Sequence, residues 1–245
     1  MSEVVLYKGD CCEIMKELEE NSIDLILTDP PYGLGKFMRD RGTNWKAMRD
    51  NFFVYDGWDD LGHPEWLELM GKFFEQSSRI MKKGGSMIVF MSTINVSEII
   101  ELGLQHGLHF KTVGVWHKTN PVPRNMNLHY VDSVEVWVYF TYGSRTGTFN
   151  NYGQACHNFI ETPVIKGSER LHGLHPTQKP KDVMSHFVRL LSNPGDWVCD
   201  PFMGSGTTGV VARELNRNFI GIEKDESHFT LSEQRINDYS QTSLF

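Results

Sequence analysis

The sequence predicts an α/β fold, a mostly parallel sheet with helices on both faces. Three observations carry that prediction. Short β-branched and aromatic runs alternate with helical stretches along most of the 245 residues. The alternation is that of strand–helix–strand units, whose parallel strands are joined by crossovers. Acids, glycines and prolines follow several strands directly, at the carboxyl ends where such sheets bind ligands.

Val4–Tyr7 is the first strand, and Lys8-Gly9-Asp10-Cys11-Cys12 leads from it into a helix over Cys12–Leu18. Asp10 suits the cap of that helix. Leu25–Thr28 is a buried apolar strand. A helix over Pro64–Met81 opens with proline in its first turn, and Gly84-Gly85 ends it before a strand at Ser86–Met91. A helix over Asn95–His106 precedes strands at Lys111–Trp116 and Ser133–Thr141. No helix separates those two, so they read as an antiparallel hairpin at the sheet edge. The remainder alternates: helix Lys181–Leu191, strand Trp197–Asp200, helix Gly206–Leu215, strand Asn218–Ile222 and helix Glu226–Tyr239.

The length suits a single domain, 1–245, able to bury roughly 70–75% of its unfolded surface. Two stretches break the alternation, 33–63 and 143–176, each longer than an ordinary connection. Their aromatics, among them Phe37, Trp45, Trp58, Phe149, Tyr152 and Phe159, argue for order. The cysteines at 11, 12, 156 and 199 form no CxxC pair, so a reduced, cytoplasmic setting is expected. His172 and His175 lack further ligands, so no metal is expected. MSEVVLYKGD has no signal-peptide pattern, and apolar runs such as Met87–Met91 are strand length, so no membrane partner is expected.

A net charge of −7 opposes non-specific coating of nucleic acid, but the charge is unevenly spread. Acids dominate 1–29. Lys36, Arg39, Arg41, Lys46 and Arg49 face only Asp40 over 36–49. Lys111, Lys118 and Arg124 have no acid near them over 109–130, and Arg145 opens a third basic stretch over 142–181. An acidic protein with such segments is able to present one basic face to phosphates.

Four motifs carry chemistry. In Leu25-Ile26-Leu27-Thr28-Asp29-Pro30-Pro31-Tyr32, a strand ends in an acid, two prolines and an aromatic. The prolines stiffen the turn. It aims the Asp29 carboxylate, the Pro30 carbonyl and the Tyr32 ring at one point. An exocyclic amine on a base needs that set: two acceptors for its hydrogens localise a lone pair otherwise lost to the ring. Stacking on Tyr32, worth roughly 1–3 kcal/mol, offsets much of the cost of extruding the base. In Val198-Cys199-Asp200-Pro201-Phe202-Met203-Gly204-Ser205-Gly206-Thr207, a strand leads through Gly-x-Gly into a helix, as in nucleotide-type cofactor loops. No Gly-Lys-Ser/Thr follows, so it is not a P-loop. The next strand ends in Glu223, placed to accept from ribose hydroxyls. His175-Pro176-Thr177-Gln178-Lys179-Pro180 enters a helix, and Lys8–Cys12 is the fourth motif.

Together these segments, from Lys8 to about Arg235, resemble the beta-class (permuted) DNA amino-methyltransferases. In that class the Asp-Pro-Pro-Tyr motif comes first, a recognition segment follows and the cofactor loop comes last, as here. The resemblance implies a Rossmann-like S-adenosylmethionine-dependent methyltransferase fold with a seven-stranded, mostly parallel sheet. It implies that Asp200, Pro201, Phe202, Gly204, Ser205, Gly206 and Thr207 lie along S-adenosyl-L-methionine, that Glu223 binds its ribose, and that Asp10 and Cys11 meet its adenine. Thr177, Gln178 and Lys179 are expected near its methionine end. Asp29, Pro30, Pro31 and Tyr32 are expected to hold the target base in catalysis, by base flipping and direct displacement. Asp at the first motif position favours adenine N6, and cytosine N4 stays open; methylation of RNA or of a protein amide is a third reading. Lys36, Arg39, Arg41, Lys46, Arg124 and Arg145 are the candidate DNA contacts, with 33–63 and 143–174 as recognition segments. The second is short for the class, so sequence reading is expected to lean on 33–63 or on the second subunit of a homodimer. The implied setting is restriction–modification, or an orphan relative, in a bacterial or phage-infected cell.

Overall fold

The structure is a computed structural model and describes residues 2–34, 61–121, 130–165, 169 and 177–242. Lys36, Arg39, Arg41, Lys46, Arg124, His172 and His175 lie outside the described residues, as do most of 33–63 and much of 163–176. The strands are β1 (Val4–Lys8), β2 (Ile23–Thr28), β3 (Met81–Met91), β4 (Leu108–Lys118), β5 (Val134–Tyr142), β6 (Phe159–Thr162), β7 (Trp197–Asp200) and β8 (Asn218–Glu223). The helices among the described residues are α1 (Cys11–Glu17), α2 (His63–Ile80), α3 (Val96–Gln105), α4 (Lys181–Leu191), α5 (Thr207–Glu214) and α6 (Glu226–Thr242).

These strands form one sheet in the order β1-β8-β7-β2-β3-β5-β4-β6. Every pairing is parallel except the two made by β5. Period-two alternation divides the core between the two faces. Ile26 of β2, with Met87 and Val89 of β3, packs with α1, α2 and α3. Leu25, Leu27, Ile88 and Phe90 pack with α4, α5 and α6.

Three expectations need correction. Among the described residues the sheet has eight strands, not the seven expected. β6 is the addition, and its four residues point only Ile160 inward, too short a run to show a period. The β4–β5 hairpin forms, but β5 inserts between β3 and β4, and β6 takes the edge. Gly84-Gly85 does not stop a helix. α2 ends at Ile80, and the glycines lie inside β3. There the register slips between Ile23↔Met81 and Leu25↔Ser86. Gly84 has φ 85°, and a Cβ on Gly85 would stand 2.9 Å from the Lys82 carbonyl, so the irregularity needs this pair.

From β2 the chain crosses through α2 to β3, while from β7 it crosses through α5 to β8 in the opposite direction. The β7–β2 boundary is therefore the switch point, where an open α/β sheet has its crevice.

Candidate active site

Four neighbouring strands end in acids at this crevice. Asp10 follows β1, Glu223 ends β8, Asp200 ends β7 and Asp29 follows β2. A cavity of about 590 Å³ runs along them.

Glu223 is held from behind. Its carboxylate accepts the Gly204 and Asp225 N–H groups, each at 2.8 Å. A carboxylate has about four lone-pair sites, so others remain for hydroxyls in the cavity. Asp10 lines the same end and caps α1, accepting from the N–H groups of Cys12 and Glu13. With the sulfurs of Cys11 and Cys12 it forms a group within 4.8 Å. The two sulfurs stand 3.9 Å apart and share a hydrogen bond.

Asp200 behaves differently. It touches the cavity, but its oxygens point inward. Thr28 and Thr208 hydroxyls each donate to it at 2.7 Å, and the Phe202 N–H at 3.3 Å. Burial pushes it up to about 7 against those donors. It is a brace joining β2, β7 and α5. The glycine loop is closed from the other side by Arg235 of α6, which donates to the Ser205 carbonyl and, at 3.3 Å, to the Thr207 hydroxyl. Gly206 is left-handed, φ 75°, and a Cβ there would meet Ser232 at 2.8 Å, so the loop takes glycine for both reasons.

The Asp29–Tyr32 turn is pinned by its carbonyls. Trp66 Nε1 donates to Pro31 O and Asn95 Nδ2 to Tyr32 O, both at 2.8 Å. Among the described residues no donor takes the Pro30 carbonyl. The Tyr32 hydroxyl donates to Asp29 Oδ1 at 2.7 Å, and Lys179 donates to Oδ2. Burial raises the Asp29 carboxyl above its ordinary value, and the Glu135 charge adds to that although Lys179 opposes it.

Most of the candidate residues meet in one place. Asp29, Pro31, Thr177, Lys179, Asp10 and Cys11 line the cavity, and so do Asp200, Pro201, Phe202, Gly204, Ser205, Thr207 and Glu223. Pro30, Tyr32 and Gly206 are next to lining residues in the chain without lining the cavity themselves. Gln178 is turned away, its amide donating to the Glu169 carbonyl at 3.1 Å. Lys179 reaches the cavity, yet its ammonium is committed to Asp29 and to Glu135. Arg145 is not brought to the site. It follows β5, which runs against its neighbours, and so lies at the opposite end of the strands, where its carbonyl accepts from Lys111. Asn150 continues along that end, bonded to the end of α4. The first half of 143–174 is thus a crossover beneath the sheet.

Arg235, Lys118 and Glu135 complete the site from outside the motifs first read as chemistry, while Thr28 and Thr208 stand in or directly beside those motifs but had no role read for them from the sequence. Only Glu135 left a sequence signal, a lone acid entering an otherwise apolar strand, Val134-Glu135-Val136-Trp137.

The cavity volume falls within the roughly 300–1,000 Å³ of small-molecule sites. A carboxylate with outward lone pairs, apolar walls at Leu69, Phe202 and Ile222, and an open glycine loop fit an adenosyl group.

The N6/N4 family model, described as DNA methylase, matches residues 23–234. The chain is 31% identical over 249 residues to the Type II methyltransferase M.HinfI of Haemophilus influenzae, covering 95% of this chain and 68% of that protein. It is 25% identical over 252 residues to the Type II methyltransferase M2.DpnII of Streptococcus pneumoniae, covering 99% of this chain and 92% of that protein. Among solved structures, the M1.HpyAVI–SAM complex is 28% identical with TM-score 0.71, covering 96% of this chain and 99% of that one.

Proposed function

Because the chain belongs to the N6/N4 DNA methylase family, we propose that it transfers the methyl group of S-adenosyl-L-methionine to N6 of adenine in DNA. The observation that carries this reading is the shared cavity, in which Asp29 stands with the glycine loop, Asp10 and Glu223. Asp rather than Ser at position 29 supports adenine over cytosine N4.

Glu223 would hold the ribose, Asp10 and Cys11 the adenine end, and the loop from Asp200 to Thr207 the length of the cofactor. Bound there, the cofactor supplies an electrophilic methyl carbon; the amine lone pair makes the new bond and the carbon–sulfur pair stays with sulfur. The Asp29 carboxylate and the Pro30 carbonyl accept the two amine hydrogens, and Asp29 takes the proton released. Tyr32 stacks on the flipped base. The rate comes from positioning and from acceptors aimed at charge developing on nitrogen.

The relatives from Haemophilus influenzae and Streptococcus pneumoniae support a bacterial setting, with methylation as part of restriction–modification. No helix among the described residues is long and apolar enough to cross a membrane. With 143–158 beneath the sheet, base reading falls to 33–63, to the segments beside Lys118, or to a second copy in a homodimer.

Asp29→Ala tests the assignment. Labelling of unmethylated DNA by tritiated cofactor should fall at least about 10³-fold, with the cofactor dissociation constant retained. Wild-type turnover in that variant overturns the role of Asp29. Nucleoside digestion of wild-type product should yield N6-methyladenine, and N4-methylcytosine in its place overturns the choice of base.

A further inference from the structure

Glu135 belongs to none of the motifs, yet it stands beside Asp29. Lys179 Nζ lies 3.1 Å from Glu135 Oε2 while also binding Asp29. Lys118 Nζ, at the end of β4, lies 2.7 Å from Glu135 Oε1. The Tyr32 hydroxyl, bonded to Asp29, is 3.5 Å from Glu135 Oε2. The four charged side chains are mostly buried, with Lys179 only 6% exposed. Two carboxylates and two ammonium groups balance, as a buried set requires.

The balance is unequal between the two acids. Glu135 holds both ammonium groups, whereas Asp29 shares one. Although burial works against its ionisation, Lys179 and Lys118 hold Glu135 down to about 2, while Asp29 is raised. Asp29 is therefore the weaker acid of the pair and the better proton acceptor. An ammonium left on Asp29 would spoil it for that task, since a carboxylate bonded to a cation accepts a proton poorly.

We propose that Glu135 is a positioning residue: when the target amine arrives, it draws Lys179 and the Tyr32 hydroxyl off Asp29, freeing that carboxylate to accept the amine hydrogen bond and then its proton. Net charge stays zero as the bonds shift, and Lys118 fixes Glu135 in place meanwhile. The inference rests on the methyl-transfer reading above.

The test is Glu135→Gln in the full chain, with tritiated cofactor and amplified, unmethylated genomic DNA under single-turnover conditions. The rate is expected to fall roughly 10- to 100-fold, less than the 10²–10⁴ of losing an acid–base group itself, with cofactor affinity within about twofold of wild type. The acid limb of the rate–pH profile should move to lower pH, because Asp29 loses a neighbouring negative charge. The groups facing Asp29 are Lys179, Tyr32, Glu135 and, more distantly, Asp200. Lost packing alone would leave that limb in place. Glu135→Asp keeps a carboxylate and should fall between wild type and the Gln variant, with a smaller shift in the same direction; it carries the test if the Gln variant does not fold. An unmoved acid limb, or an unchanged rate, overturns the role of Glu135. Wild-type protein that leaves DNA unlabelled overturns the methyl-transfer reading, and this role with it.

Discussion

Each acid at the crevice takes its role from the donors around it. Glu223 has two backbone donors behind it and open lone pairs in front, so it is built to accept from a ligand. Glu223→Gln should weaken cofactor binding by roughly 10–100-fold, the range of a hydrogen bond to a charged group, and leave the rate at saturating cofactor nearly unchanged. Isothermal titration of the two proteins checks this, and an unchanged affinity removes the ribose role. Asp29 and Glu223 were legible in the sequence because each ends an apolar run. Lys118, Glu135 and Thr28 were not, because their meaning depends on which strands lie side by side. Thr28 reads as an ordinary strand end until Asp200, 172 residues away, is seen to accept its hydroxyl.

At the scale of elements, the Asp200 brace ties β7 to β2 and to the start of α5. Its folded value of about 7 lies above the ordinary 3.8, so the native state keeps a proton that the unfolded chain gives up. Stability should then fall as pH rises between those two values, and recover as pH falls. Urea unfolding at about pH 5 and pH 7.5 should show a loss of up to roughly 3 kcal/mol from this group. Asp200→Asn should flatten the slope by that amount, and equal slopes would count against the brace. Helix and strand positions were largely legible, since α/β alternation is a strong period. Gly84-Gly85 misled because the same pair serves a helix end or a bulge, and only the pairing of β2 with β3 decides which. β6 was hidden because its one inward side chain, Ile160, carries no pattern.

For the whole molecule, the cavity draws on β1, β2, β7 and β8 at once, so a cofactor bound there would hold together segments far apart in sequence, from Gly9 to His228. At a cofactor concentration of 100 times its dissociation constant, unfolding should cost about 2.7 kcal/mol more. Thermal unfolding with and without cofactor measures this, and no rise in midpoint would mean that the cavity does not bind it. The pairing of β1 with β8, Val4 against Phe219, has a further consequence for how the protein is made. Among the described strands β1 has no other partner, so the earliest of them to be synthesised waits for the latest. The block β2-β3-β5-β4 is complete once residue 142 has been synthesised, and its contacts form over shorter loops. The growing chain thus carries the turn that would hold the base long before it has a cofactor site. The cavity proposed for the cofactor would then be completed in a single late event, when β1 meets β8.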